Sequence, residues 1–252
     1  MRPDAVIIMA AGRGLRLRPL TIEVPKALVV CRGFPLIEYA CEFARHVLDG
    51  TGNIAVVTGY GGDMVKEYLE VEATDAIVLH NEKFEKGNIL SLQKGLSFRP
   101  KSFLLMNVDH IYPFAFAKRL LEARGAVVAA IDTDRSLGAD DMKVKLGGNG
   151  KILKISKTLD DYDCGYIGMT LVREEGLQLY MQALDHVLAV KGEMACAEEV
   201  LQAIADMGGE VSVCDLSGLC WLEVDTIEDL IRAEEVLVEK DVLNLRFEFE
   251  HV

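Results

Sequence analysis

Ala5-Val6-Ile7-Ile8-Met9-Ala10 runs directly into Ala11-Gly12-Arg13-Gly14-Leu15-Arg16-Leu17-Arg18-Pro19-Leu20-Thr21, and Pro25-Lys26 follows. The first six residues read as a buried strand, with Val6, Ile7 and Ile8 in a row. Open α/β sheets bind ligands at the C-terminal ends of their strands, which is where this glycine-rich segment begins. Glycine lets the backbone come close to phosphate oxygens and present its N–H groups as a nest. Arg13, Arg16, Arg18 and Lys26 bring positive charge to the same short loop, as a triphosphate requires. A dinucleotide fingerprint would need a third glycine where Leu17 stands, and a Walker loop would end in Gly-Lys-Ser/Thr.

Outward from this stretch, short β-like runs at 54–58, 76–80, 103–107 and 127–131 alternate with helical patterns at 35–48, 63–70, 89–96 and 113–123. That rhythm implies βαβ crossovers and an α/β fold: a Rossmann-like, mostly parallel (mixed) sheet covered by helices on both faces. It changes after residue 140. Segments 143–146 and 152–156 flank Gly147-Gly148-Asn149-Gly150 and predict an inserted β-hairpin in the second half. A strand at 164–172, helices at 174–190 and 197–207, strands at 211–214 and 221–224, and a helix at 227–239 are expected next. The tail 243–252 alternates apolar and charged residues, which suits an edge strand or a subunit contact, so a homodimer is one expected arrangement.

The bulk numbers restrict the function. A net charge of -13 over 252 residues opposes a surface that tracks a nucleic-acid backbone, so no nucleic-acid partner is expected. The acidity is uneven, because the first forty-five residues carry more Arg and Lys than Asp and Glu. A locally basic start in an acidic chain fits a small bound polyanion. The six cysteines form no CxxC pair and lie in or beside apolar runs, as buried thiols do. The opening apolar stretch is too short for a signal peptide, and no run of about 18 uncharged apolar residues occurs. The expected setting is the cytoplasm, with no direct membrane insertion.

A triphosphate reaction also calls for a divalent ion, and magnesium prefers carboxylate oxygens. Asp109 follows the apolar run 103–108 and should project at the ligand edge of the sheet. The second acidic group is Trp221-Leu222-Glu223-Val224-Asp225-Thr226. On a strand, Glu223 and Asp225 would face the same side, and Thr226 would cap the helix that follows. Asp109 and Asp225, with Glu223 next, are therefore the expected Mg2+ ligands. His46, His80, His186 and His251 lack ligand-like spacing, and His110 is expected to pack beside the metal site without a catalytic role.

The glycine loop resembles the signature of the nucleoside-triphosphate transferase (sugar-phosphate nucleotidyltransferase) family, Gly-x-Gly-x-Arg-Leu-x-Pro-Leu-Thr followed by Pro-Lys. Leu15 departs from it, since the family usually has Thr or Ser there. The resemblance implies that Arg16 and Lys26 are catalytic, binding the triphosphate and stabilising charge as pyrophosphate leaves. It places Ala10, Ala11, Gly12 and Gly14 along the nucleotide, and Asp109 and Asp225 on a shared magnesium ion. Thr58-Gly59-Tyr60 resembles a base-contacting turn. Asn81 and Asn88-Ile89-Leu90-Ser91-Leu92 resemble the segment beside base and acceptor. Lys143-Val144-Lys145, Lys151–Lys157 and Asp225–Leu230 are similar to inositol-1-phosphate cytidylyltransferases, which gives Lys145 or Lys157 the acceptor phosphate.

The implied protein is a single nucleotidyltransferase domain over 1–252, with a nucleotide-binding half to about 133 and an acceptor-binding half from about 134. It would transfer CMP from CTP, or from another NTP, to a small phosphorylated alcohol. Inositol 1-phosphate is the preferred acceptor, with glucose 1-phosphate and phosphocholine as alternatives. Cys164-Gly165-Tyr166-Ile167-Gly168 departs from the acid and Thr those enzymes carry, which bears on the polyol pocket. A nicotinamide oxidoreductase would want an acidic residue where Thr58-Gly59 stands. A catalytically silent nucleotide-sensing module should have lost Arg16, Lys26, Asp109 or Asp225, and all four are present.

Overall fold

A computed structural model of the chain describes residues 1–73 and 75–239. Its strands are β1 (Ala5–Ala10), β2 (Val30–Cys31), β3 (Phe34–Pro35), β4 (Asn53–Thr58), β5 (Ala76–His80), β6 (Phe103–Asn107), β7 (His110–Ile111), β8 (Val127–Asp132), β9 (Lys143–Leu146), β10 (Ile152–Ser156), β11 (Cys164–Val172), β12 (Ser212–Asp215) and β13 (Leu222–Glu223). The helices are α1 (Leu36–Leu48), α2 (Gly62–Glu72), α3 (Ile89–Gly95), α4 (Phe114–Glu122), α5 (Glu174–Lys191), α6 (Glu199–Asp206) and α7 (Ile227–Glu239). Among the described residues no helix is long and apolar enough to cross a membrane.

Nine strands form one mixed sheet among the described residues, parallel through β5-β4-β1-β6. β11 then lies antiparallel to β6 on one side and to β8 on the other, and β12 runs parallel to β8. The hairpin β9–β10 joins the start of β11 through Cys164 and Gly165. β11 bulges between Tyr166 and Thr170, where Gly168 takes φ +72°. A bulge of this kind bends a strand and raises its twist, and here it lets β11 leave β9 and join β6.

β1 is central, so both of its faces must be apolar, and period-2 alternation divides its side chains between two cores. Val6, Ile8 and Ala10 pack with α1, α2, α4 and α7, while Ala5 and Ile7 pack with α3, α5 and α6. This is the covered, Rossmann-like sheet that the sequence pattern implies. The tail 243–252, read as an edge strand or subunit contact, lies outside the described residues.

Two local differences have physical causes. The paired segments β2, β3 and β7 are two residues each, too short to show periodicity. Helix α6 begins at Glu199 and not at 197, because the Ala197 N–H donates to Asn88 Oδ1 at 2.7 Å and the Cys196 N–H to Glu199 Oε2 at 2.9 Å. Those donors are drawn into a tie with the start of α3.

Helix α3 touches the sheet through Gly95, where an added Cβ would lie 2.5 Å from Ile7 Cγ2 and 3.2 Å from Val57 Cγ2. Alanine favours a helix over glycine by about 1 kcal/mol, whereas overpacking a core costs about 1–3 kcal/mol. Ile7 is fully buried and its γ-methyl sits next to the backbone, so it has little room to yield. Gly95→Ala should therefore lower the urea midpoint despite its better propensity, with a loss of about 1–2 kcal/mol.

Candidate active site

The glycine loop folds around a lysine. Gly14 takes φ +62°, which glycine adopts without strain, and caps a 3-10 turn over Leu15–Leu17 whose Leu17 is fully buried. Thr21 Oγ1 donates to the Gly14 carbonyl at 2.6 Å. A Cβ on Gly14 would come within 2.9 Å of Lys26 Cβ, so the loop closes directly over the lysine stem. Gly12 has open space where a Cβ would point, and Ala10 and Ala11 are buried behind it.

The carboxylates come from two distant parts of the chain. β6 continues past Asn107 alongside β1, with the Val108 N–H donating to the Met9 carbonyl at 3.2 Å, which puts Asp109 at the C-terminal edge of the sheet. β7 pairs antiparallel with β13, Leu222 opposite Ile111 and Glu223 opposite His110. The Val224 N–H then donates to the Asp109 carbonyl at 2.8 Å, which brings Asp225 beside Asp109. Asp229 Oδ2 accepts the N–H groups of Asp225 and Thr226, and the Asp229 N–H donates to Thr226 Oγ1 at 3.1 Å. This reciprocal cap starts α7 and fixes the backbone of Asp225.

Lys26 is buried, and its Nζ donates to Asp109 Oδ2 and to Asp225 Oδ1, each at 2.6 Å. Arg16 pairs with the other oxygen of Asp225 and also reaches Asp140 Oδ2 at 3.2 Å. His110 Nδ1 lies 2.6 Å from Asp109 Oδ1. Burial alone would drive Asp109 towards its neutral form, but the charges of Lys26 and His110 prevail and hold the carboxyl well below the usual range. Burial likewise opposes the charge on Lys26, and the two aspartates outweigh it and raise its pKa. For His110, burial is again outweighed by Asp109. The cluster therefore holds an ionised Asp109 beside a protonated Lys26 at neutral pH.

Two carboxylates converging on one cationic atom is also what a small divalent ion requires. Magnesium commonly takes one or two carboxylates and completes its shell with water and substrate phosphate. Among the described residues no group of three or more His, Cys, Asp or Glu converges to hold a metal alone. Asp109 and Asp225 fit the magnesium arrangement, and Lys26 Nζ marks the point on which both carboxylates bear.

The other sequence-derived residues have separate surroundings. Glu223 takes a different partner from Asp225: its carboxylate pairs with Arg135 at 2.8 Å, and β13 ends at Glu223 before the chain turns into the α7 cap. Asn81 donates to Ser91 Oγ at 2.9 Å and accepts the Lys83 N–H, while Asn88 holds Ala197, so their side-chain bonds brace loops. Gly59 packs against Phe84 and the Ala11 carbonyl. Lys145 is bound to Asp161 at 2.7 Å and Asp163 at 3.2 Å. Lys157 is exposed and in no ion pair among the described residues. Burial raises the Glu198 carboxyl, and a hydrogen bond from Asn88 and the Lys157 charge oppose that shift.

Sequence reasoning missed one feature. A pocket of about 370 Å3 adjoins the cluster, with Asp132, Arg135, Trp221, Glu223, Asp229 and Arg232 in its wall. Trp221 stacks on His110 with ring centroids 5.3 Å apart, which connects the pocket to Asp109. The available signal was Trp221 itself, two residues before Glu223 in the acidic group.

Comparison with known proteins shows the family and the fold. Residues 6–216 match the MobA-like NTP transferase domain, and the chain belongs to that family. It is 33% identical over 235 residues to the "Bifunctional IPC transferase and DIPP synthase" of Rubrobacter xylanophilus, covering 92% of this chain and 51% of that protein. The chain thus spans about half the length of such relatives. It is 25% identical to the choline-phosphate cytidylyltransferase of Streptococcus pneumoniae, covering 92% of this chain and 97% of that one. The solved inositol-1-phosphate CTP transferase from T. maritima shares the fold, with a TM-score of 0.77, 23% identity and coverage of 97% and 95% of the two chains.

Replacing Lys26 removes the cation that two largely buried carboxylates share. Breaking a buried pair by deleting one partner costs about 3–5 kcal/mol, and residual solvent at Asp109 and Asp225 reduces this to about 2–4 kcal/mol. Lys26→Met should lose that much in a denaturant titration at pH 7. Adding Asp109→Asn to it should restore part of the loss. An additive double variant would show that the charges are not coupled.

Proposed function

We propose that the chain is a nucleotidyltransferase that moves CMP from CTP to a small phosphorylated alcohol, with inositol 1-phosphate as the preferred acceptor, and releases pyrophosphate. The observation that carries this reading is the meeting of Lys26, Arg16, Asp109 and Asp225 beside the glycine loop at the C-terminal ends of β1 and β6. The names of the relatives support the nucleotide and the acceptor class.

The acceptor phosphate is already an anionic nucleophile, so no strong general base is required. One of its oxygens attacks the α-phosphorus of CTP in line, a new P–O bond forms, and the bond to the β-phosphate breaks. Positioning and charge neutralisation then account for most of the acceleration. Ala10, Ala11, Gly12 and Gly14 line the nucleotide, and the backbone N–H groups of the loop face its phosphates. Lys26 and Arg16 carry the negative charge that builds on the leaving pyrophosphate. Asp109 and Asp225 would hold Mg2+, which would supply charge neutralisation and Lewis-acid polarisation of the phosphate. Lys157, in no ion pair among the described residues, is our candidate for the acceptor phosphate, ahead of Lys145, which Asp161 and Asp163 engage.

The test is pyrophosphate release with magnesium, pairing CTP, UTP, GTP and ATP with inositol 1-phosphate, phosphocholine and glucose 1-phosphate. CTP with inositol 1-phosphate should be the best pair. Asp109→Ala should reduce kcat by about 100-fold or more, and chelation with EDTA should stop turnover. Activity confined to another pair would replace the substrates and retain the chemistry. Full activity in Asp109→Ala would remove the proposed site.

A further inference from the structure

The pocket beside the cluster carries the groups of a cation site, yet the protein's own guanidinium covers its aromatic face and its carboxylate. Trp221 is the single tryptophan of the chain. Its Nε1 donates to Asp132 Oδ2 at 2.7 Å, which fixes the indole. Arg135 Cζ lies 5.0 Å from the indole centroid, and Arg135 Nη1 lies 2.8 Å from Glu223 Oε2. An aromatic face next to a carboxylate is what a quaternary ammonium ligand seeks. Here Arg135 occupies both.

Arg135 is also held in place. Its loop is tied to the segment before Trp221, with the Thr133 N–H donating to Ser217 Oγ at 2.8 Å and the Gly218 N–H to Asp134 Oδ2 at 2.6 Å. Asp141 adds a second carboxylate 3.6 Å from the guanidinium. The pocket is next to the transfer site, because Glu223 pairs with His110 across β7–β13 and His110 contacts Asp109.

We infer that Arg135 sets acceptor selectivity: seated on Trp221 and paired with Glu223, it excludes cationic headgroups such as choline and leaves a wall of guanidinium donors and carboxylate acceptors suited to a neutral polyol. The inference rests on the reading of this chain as a transferase to phosphorylated alcohols and narrows its acceptor. A polyol hydroxyl can donate to Glu223 or Asp229 and accept from Arg135 or Arg232. An ammonium group would have to displace a like charge that already has its partners.

Because Trp221 is the only tryptophan, its fluorescence reports on the pocket without requiring turnover. The probes are choline chloride, matched against sodium chloride at equal ionic strength, and myo-inositol. Wild type should show no choline-specific change. Arg135→Ala should respond to choline with affinity at least about tenfold tighter than wild type. Arg135→Gln, which keeps a polar side chain but not its charge, should respond as well, and Arg135→Lys should not. In the transfer assay the same two neutral variants should shift kcat/KM from inositol 1-phosphate towards phosphocholine. Equal choline response in wild type and Arg135→Ala, or no response in either neutral variant, would overturn the inference. An absence of turnover with every acceptor would count against the transferase reading, while the fluorescence result would still decide the role of Arg135.

Discussion

One ammonium group shared by two carboxylates organises this molecule. Lys26 belongs to the glycine loop, Asp109 to the end of β6, and Asp225 to the turn into α7. None of the three charges would be tolerated in so enclosed a place without the others. Around them, Arg16 satisfies the second oxygen of Asp225 and His110 the second oxygen of Asp109. The fold supplies what this balance requires: a central strand that delivers the loop, a neighbour that delivers the first acid, and a short ribbon that delivers the second.

The same balance fixes the basic side chains. Lys26 and Arg16 are held at the sheet edge by protein carboxylates. Polar bonds outside the cluster are mostly bracing. Asn88 and Glu199 hold the loop before α6, and Asn81 holds the turn after β5. They keep the walls of the cleft at fixed spacing without contributing charge to it.

Much of this was legible in the sequence because it depended on strong local signals. Val6-Ile7-Ile8 read as a buried strand, and the glycines and arginines directly after it, with Pro19, Leu20, Thr21 and Lys26 in order, read as a ligand loop at a strand end. Asp109 and Asp225 were legible by position, one ending an apolar run and the other preceding a capped helix. Pairings between distant residues were not. The β7–β13 ribbon is two residues long and carries no period, so the different partners of Glu223 and Asp225 had no trace in the pattern. Arg135 lies in an irregular loop where nothing in the order of residues marks a guanidinium that will settle on an indole. Lys145 and Lys157 looked equivalent as sequence. Only the fold shows Asp161 and Asp163 beside the first and an open surface at the second.

The second strand of the ribbon, which leads into Asp225, follows every strand of the main sheet among the described residues. As the polypeptide leaves the ribosome, the glycine loop, Lys26 and Asp109 are all present long before their last partner. A nascent chain halted after β12 would carry every described strand of the main sheet and the glycine loop, with only half of its acidic pair. The acidic pair is thus completed only after that sheet, and premature termination in this region leaves Lys26 and Asp109 without Asp225.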